Sequence, residues 1–141
     1  MKTRSGSELE EGNAAVEAVV LTAVVMIFVL LAVAFGRYEA TRTQVIGAAR
    51  AAAEAAAVMP SVYQASSAAS AAAMPELTGD GAACTRSDVT TDTQDFVAGG
   101  DVSVTVTCTV ELSDLGVPGL PGVTTMVVTQ VAPIDPYRAV S

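Results

Sequence analysis

The chain has 141 residues, 51% of them apolar, a net charge of −8, and neither histidine nor tryptophan. Without histidine, a histidine-dependent triad, acid/base pair or metal site is excluded. The seven Lys and Arg form no dense patch that could displace counterions from a nucleic acid, and two cysteines cannot make a structural zinc site alone.

Residues 1–12, MKTRSGSELEEG, are short and polar, with Lys2 and Arg4 followed by Glu8, Glu10 and Glu11. They read as a leader that buries no core. Residues 12–36 then form an almost wholly apolar segment. From Ala18 to Gly36 there is no charge, and Thr22 is the one polar residue. About 20 apolar residues in a helix span the hydrocarbon core of a bilayer, so 13–36 is predicted to be a transmembrane segment. Glu17 stands near its start. A carboxylate there is costly and marks a functional position by default; the plainer reading is an interfacial residue snorkelling to the headgroups. Ala32-Val33-Ala34 also offers a secretory cleavage site. The acidic leader, Glu17 and the absence of a turn signal after Gly36 argue against it.

No helix breaker occurs between Asn13 and Pro60, which predicts one continuous helix of about 46 residues, or about 69 Å. Residues 37–75 form its extension beyond the membrane and a linker. Val45, Ala49, Ala52, Ala56 and Met59 recur at helical spacing and make a narrow face of small side chains. Such a face either reflects alanine's helix propensity or is built for close helix packing. A second short helix or helical linker follows Pro60 as far as Pro75, and TGDGAA at 78–83 is a loop.

Residues 76–141 are predicted to form a small antiparallel β domain. Val102, Val104, Val106, Cys108, Val110 and Leu112 alternate with Ser103, Thr105, Thr107, Thr109 and Glu111, the period of a half-buried strand. A second strand runs over 123–132, a weaker one over 84–93, and DLGVPGLPG at 114–122 is a loop. The tail PIDPYRAVS is expected to lie extended along the surface. Cys84 and Cys108 read as one disulfide in an exported domain, or else as two buried thiols. The fold class is therefore α+β: a long N-terminal helix, then a small sheet with one face packed on the helix.

Asp92, Asp95 and Asp101 supply oxygen ligands at short spacing, but they do not match a calcium-loop pattern and read as a solvated acidic loop. No base is placed to activate a Ser or Thr. No catalytic residue, metal site or cofactor is predicted.

Cleavage after Gly12 would make Asn13 a new N-terminus and put Glu17 one helical turn from its amine. In an apolar medium a carboxylate and an ammonium attract strongly. An amine from a neighbouring subunit would set the register between helices.

Gly12 followed by NAAVE and an apolar helix resembles the N-terminal signature of type IV pilins and pseudopilins. The longer pattern, GNAAVEAVVL followed by FGRYEATRTQVIGAARAAAEAA, resembles the TadE-like branch, the minor pilins or pseudopilins of tight-adherence (Tad) pilus systems. The late strands, PGLPG and APIDPYR resemble actinobacterial members. Ala23 stands where many relatives carry proline. The resemblance implies cleavage by a prepilin peptidase between Gly12 and Asn13, and subunit docking through Glu17. The implied partners are other pilins or pseudopilins, the peptidase, the inner-membrane assembly platform of an ATPase-driven machine, and membrane lipid. The implied location is the cell membrane, single-pass with the C-terminal domain outside, and incorporation in a pilus. Counting basic residues on either side of the span (Lys2 and Arg4 against Arg37, Arg42 and Arg50) favours the opposite orientation, whereas the Thr/Ser/Val-rich acidic C-terminal half with its cysteine pair favours export of that half. The rival reading is an anchored or secreted cell-envelope protein that never enters a filament.

Overall fold

The computed structural model describes residues 7–79, 84–113 and 121–139. The start of the predicted leader (1–6), most of the loop predicted at 78–83 and the core of the proline/glycine loop (114–120) lie outside the described residues. The architecture is α+β, in the order α1 (Ser7–Ala57), α2 (Val62–Thr78), β1 (Cys84–Asp92), β2 (Asp101–Glu111) and β3 (Val123–Pro133). The strands form one antiparallel sheet in the order β1-β2-β3.

α1 is a single helix of 51 residues, about 76 Å long. It begins at Ser7, ahead of the predicted start at Asn13, because the Glu- and Leu-rich turn before Gly12 favours helix and acidic residues suit a helix N-terminus. Among the described residues nothing covers its apolar run: every large apolar side chain in 16–35 is exposed. Sustained burial begins at Thr41. From there Val45, Ala48, Ala49, Ala52, Ala53, Ala56 and Ala57 form a stripe two residues wide in the core. The predicted face is part of this stripe, and Met59 packs half-buried against it.

Pro60 ends the α1 run, and Ser61 caps α2, its hydroxyl accepting from the Gln64 N–H at 3.4 Å. The core face of α2 is Ala65, Ala69, Ala73 and Leu77. It lies against α1, alanine to alanine, which permits close approach of the two helices. The larger Val62 and Tyr63 point to solvent. α2 does not stop at Pro75 as expected; it runs through it to Thr78. Proline inside a helix costs about 3 kcal/mol, but the added turn carries Leu77 to 1% exposure. Burying a leucine contributes about 1.5–3 kcal/mol, enough to offset most of that cost.

The sheet supplies the core's large side chains. Val102, Val104, Val106, Cys108 and Val110 of the central strand are fully buried, and the intervening Ser and Thr face outward. α1 lies over β2 and β3, and α2 mainly over β1. Cys84 and Cys108 are bonded, with Cα atoms 5.4 Å apart. The bridge ties the start of β1 to the central strand beside a bulge between Cys84 and Arg86.

The β1–β2 connection is held by its own backbone. Asp92 Oδ1 accepts from the Gln94 N–H at 3.1 Å, and the Asp95 carbonyl accepts from the N–H of Val97 (2.8 Å) and of Asp101 (3.2 Å). Gly99 has φ +79°, and a Cβ on Gly100 would fall on the Asp95 carbonyl oxygen, so both glycines are required here. Among the described residues no three Asp, Glu or Cys are placed to hold a metal.

The tail is not simply extended on the surface. Ile134 is buried, its N–H donates to the Gly100 carbonyl at 2.9 Å, and 135–138 turn. Arg138 then donates to the Ala57 carbonyl at 3.3 Å. The last turn of α1 has no basic residue of its own, so the tail brings the cation that its C-terminal dipole favours.

Candidate assembly interface on the N-terminal helix

The site residues predicted for processing and docking all lie on the first part of α1. The peptide bond between Gly12 and Asn13 falls within the helix. Glu17 follows Asn13 by four residues, one turn on, so both belong to the same helix face. Glu17 is exposed. The apolar run begins immediately after it. The cysteine pair is separate, in the sheet beyond the other end of α1.

The most apolar 18-residue window of α1 has a mean hydropathy of 3.1, and none of it is buried within the chain. Val19 is 70% exposed and Phe28 67%. Covering a large aliphatic or aromatic side chain is worth about 1.5–3 kcal/mol, so leaving this whole surface in water would cost tens of kcal/mol. Residues 16–35 are about 30 Å long as a helix, the thickness of a bilayer's hydrocarbon core. Backbone groups are satisfied within the helix, as lipid requires. The Thr22 hydroxyl also donates to the Ala18 carbonyl at 2.7 Å, leaving no free donor in the run.

Past the apolar run, α1 has a second, open face. Gly36, Ala40, Thr43 and Gly47 recur at steps of four and three on its exposed side. A Cβ added at Gly36 or Gly47 would meet nothing within 4 Å. Each glycine costs the helix about 1 kcal/mol relative to alanine, and nothing among the described residues requires either. Small residues on an open face let another helix approach closely. The sequence reading missed this stripe because it followed the alanine face, which is spent on the protein's own core; two glycines inside a strong helix were the available signal. Exposed ion pairs flank the stripe: Glu39 with Arg42 at 3.8 Å and Glu54 with Arg50 at 2.8 Å. Glu54 raises the Arg50 pKa further above its ordinary value, through its hydrogen bond first and its charge second. Such exposed pairs are screened by solvent and steady a helix only weakly.

The fold and this helix define a class: a small disulfide-bonded α+β domain borne on one long helix whose first half must be covered by lipid or by other helices. Residues 12–60 match the family model described as TadE-like protein, so this segment of the chain is similar to that family. The match takes in Gly12, Glu17, the apolar run and the extension, and ends at the turn into α2. Comparison with curated proteins and with solved structures gives no match. The matched segment carries the one helix among the described residues that is long and apolar enough to cross a membrane.

Proposed function

We propose that the chain is a minor pilin or pseudopilin that takes part in assembling a Tad-type pilus and docks through α1. The observation that carries this is the TadE-like segment coinciding with a helix whose apolar run, residues 16–35, has no cover among the described residues. In the membrane, lipid covers residues 16–35; in a filament, the same surface packs on neighbouring helices. One helix thus serves as anchor and as assembly core.

Processing by a prepilin peptidase would cut between Gly12 and Asn13. That bond lies inside a helix, and a protease needs local unwinding to reach it. Gly12 is the weakest helix former in the first turns of α1, which makes this the easiest place to open. The cut frees the Asn13 amine. Glu17 then offers a carboxylate to the amine of a neighbouring subunit, and in an apolar bundle the attraction is little screened. An unpaired Glu17 in that setting costs several kcal/mol, so helices slipped out of register are disfavoured. Other pilins or pseudopilins and the inner-membrane assembly platform are the partners this implies, with α2 and the sheet on the outer side of the membrane.

Removing the chain from its native host is expected to reduce the number of Tad-type pili per cell by about tenfold or more, counted by electron microscopy and restored by the wild-type chain. A tenfold loss corresponds to about 1.4 kcal/mol of missing assembly free energy. Unchanged piliation in its absence would contradict an assembly role.

A further inference from the structure

Most hydroxyls on α2 are spent on its own backbone. Ser66, Ser70 and Thr78 each donate to the carbonyl four residues back, and Ser61 caps the helix. Ser67 does neither. Its hydroxyl, the Gln64 side-chain amide and the Tyr63 hydroxyl have no hydrogen-bond partner among the described residues. These three groups stand together on α2, away from its buried row of Ala65, Ala69 and Ala73. They border an open groove of about 410 Å³ at the elbow between α1 and α2.

The rest of the groove lining is Met59, Pro60, Ala68 and Ala71. No charged residue lines it, and none occurs in the chain between Glu54 and Glu76. Tyr63 is 86% exposed, so its ring stands nearly clear of the protein with a face open to a ligand. A tyrosine gives a large, rigid, amphipathic contact at small cost in side-chain entropy. The groove lies where α1 ends at Ala57, about 33 Å along the helix from Phe35, at the pole remote from the apolar run.

We propose that this groove binds a neutral saccharide built of hexose rings. The lining disfavours the other ligand classes. A charged ligand would give up hydration and meet no counter-charge. A wholly apolar ligand would cover the Gln64 amide and the Ser67 hydroxyl and leave them unpaired. An extended peptide binds largely through main-chain hydrogen bonds, and the backbone of α2 is already bonded within its helix. A pyranose ring matches both parts of the lining. Its C–H face lies on the Tyr63 ring and Pro60. Its hydroxyls meet the Gln64 amide, which donates and accepts, and the Ser67 hydroxyl. A concave, mainly apolar surface with a few placed polar groups is the usual form of a small-ligand site. The binding chemistry is independent of how α1 docks; only the access of the groove to saccharides outside the cell rests on the orientation proposed above.

The test titrates the full chain, held in a detergent without a sugar headgroup, by isothermal calorimetry. The probes are three neutral hexasaccharides, of glucose, mannose and N-acetylglucosamine, and a sulfated heparin hexasaccharide. Saturable binding of at least one neutral probe is expected, and none of the sulfated one. Tyr63→Ala and Ser67→Lys should each weaken that binding at least tenfold. Both positions are exposed, so thermal unfolding should stay at the wild-type value. Tyr137→Ala changes a 96% exposed tyrosine outside the groove and should bind as the wild type does. The proposal is overturned if no neutral hexasaccharide binds, if Tyr63→Ala keeps wild-type affinity, or if the sulfated probe binds equally. A dimer in sedimentation that Tyr63→Ala dissolves would assign the groove to a second copy and overturn it too. None of these results bears on the pilus role, which is read from α1 by Glu17→Ala.

Discussion

Replacing Glu17 by alanine is expected to leave the protein in the membrane at its normal level while removing it from the sheared pilus fraction, by about tenfold or more on quantitative immunoblots. Insertion depends on residues 16–35, and deleting a carboxylate at the edge of that run makes the helix more apolar. Assembly depends, in the proposed mechanism, on the pairing of Glu17 with an amine on the next subunit. Losing a charge pair in a poorly screened setting costs several kcal/mol, and each 1.4 kcal/mol is a factor of ten. Glu17→Gln keeps the size and a hydrogen-bonding tip but removes the charge, so it should fail nearly as badly as alanine. If Glu17→Ala enters filaments at the wild-type level, the register role is wrong. If the glutamine variant assembles normally while alanine does not, the side chain acts by shape or hydrogen bonding and not by charge.

The second large effect concerns the disulfide. Cys84 and Cys108 are 24 residues apart, and closing a loop of that length stabilises a domain by about 3 kcal/mol. The core here is small and built mostly of alanine and valine, so it has little reserve to offset such a loss. Replacing both cysteines by alanine should lower the unfolding midpoint of the domain by about 12–24 °C, taking about 4–8 °C per kcal/mol for a domain of this size. Circular dichroism of the β signal in detergent reads this directly, and reduction of the wild type should reproduce it. Cys108 is fully buried under the helices, so changing it alone to serine should cost still more, because a hydroxyl without a partner is then left in the core. A shift of under about 3 °C in the double-alanine variant would show that packing alone holds β1 on β2.

How much of this was legible in the sequence depended on contrast between neighbouring residues. The apolar run after Glu17 and the Val/Thr alternation of β2 stand out against polar surroundings, and both elements appear where the pattern put them. The antiparallel sheet and its buried face follow from that one strand. α2 was harder. Its core positions, Ala65, Ala69, Ala73 and Leu77, sit among other alanines and serines, so no hydrophobic contrast marked them, and the larger Val62 and Tyr63 lie on the exposed side. Pro75 read as a stop because a local rule outweighed the burial of Leu77, a gain that exists only once the helix is packed. Arg138 on the Ala57 carbonyl spans 81 residues, and no local pattern announces such a contact. On the site, Gly12, Asn13 and Glu17 stand out by motif and spacing, and their processing and docking roles are proposed from that pattern. The open stripe at Gly36 and Gly47 was not, because its meaning depends on which face the fold leaves uncovered.

The proposed role hinges on one covalent event, the cut that gives Glu17 a partner amine. The most direct measurement is the N-terminus of the mature chain, purified from membranes or pili of its native host and read by N-terminal sequencing or intact mass. The proposal predicts a chain beginning at Asn13 with residues 1–12 gone. A chain that keeps Met1, or one that begins at Phe35 after a signal-type cut, would contradict it.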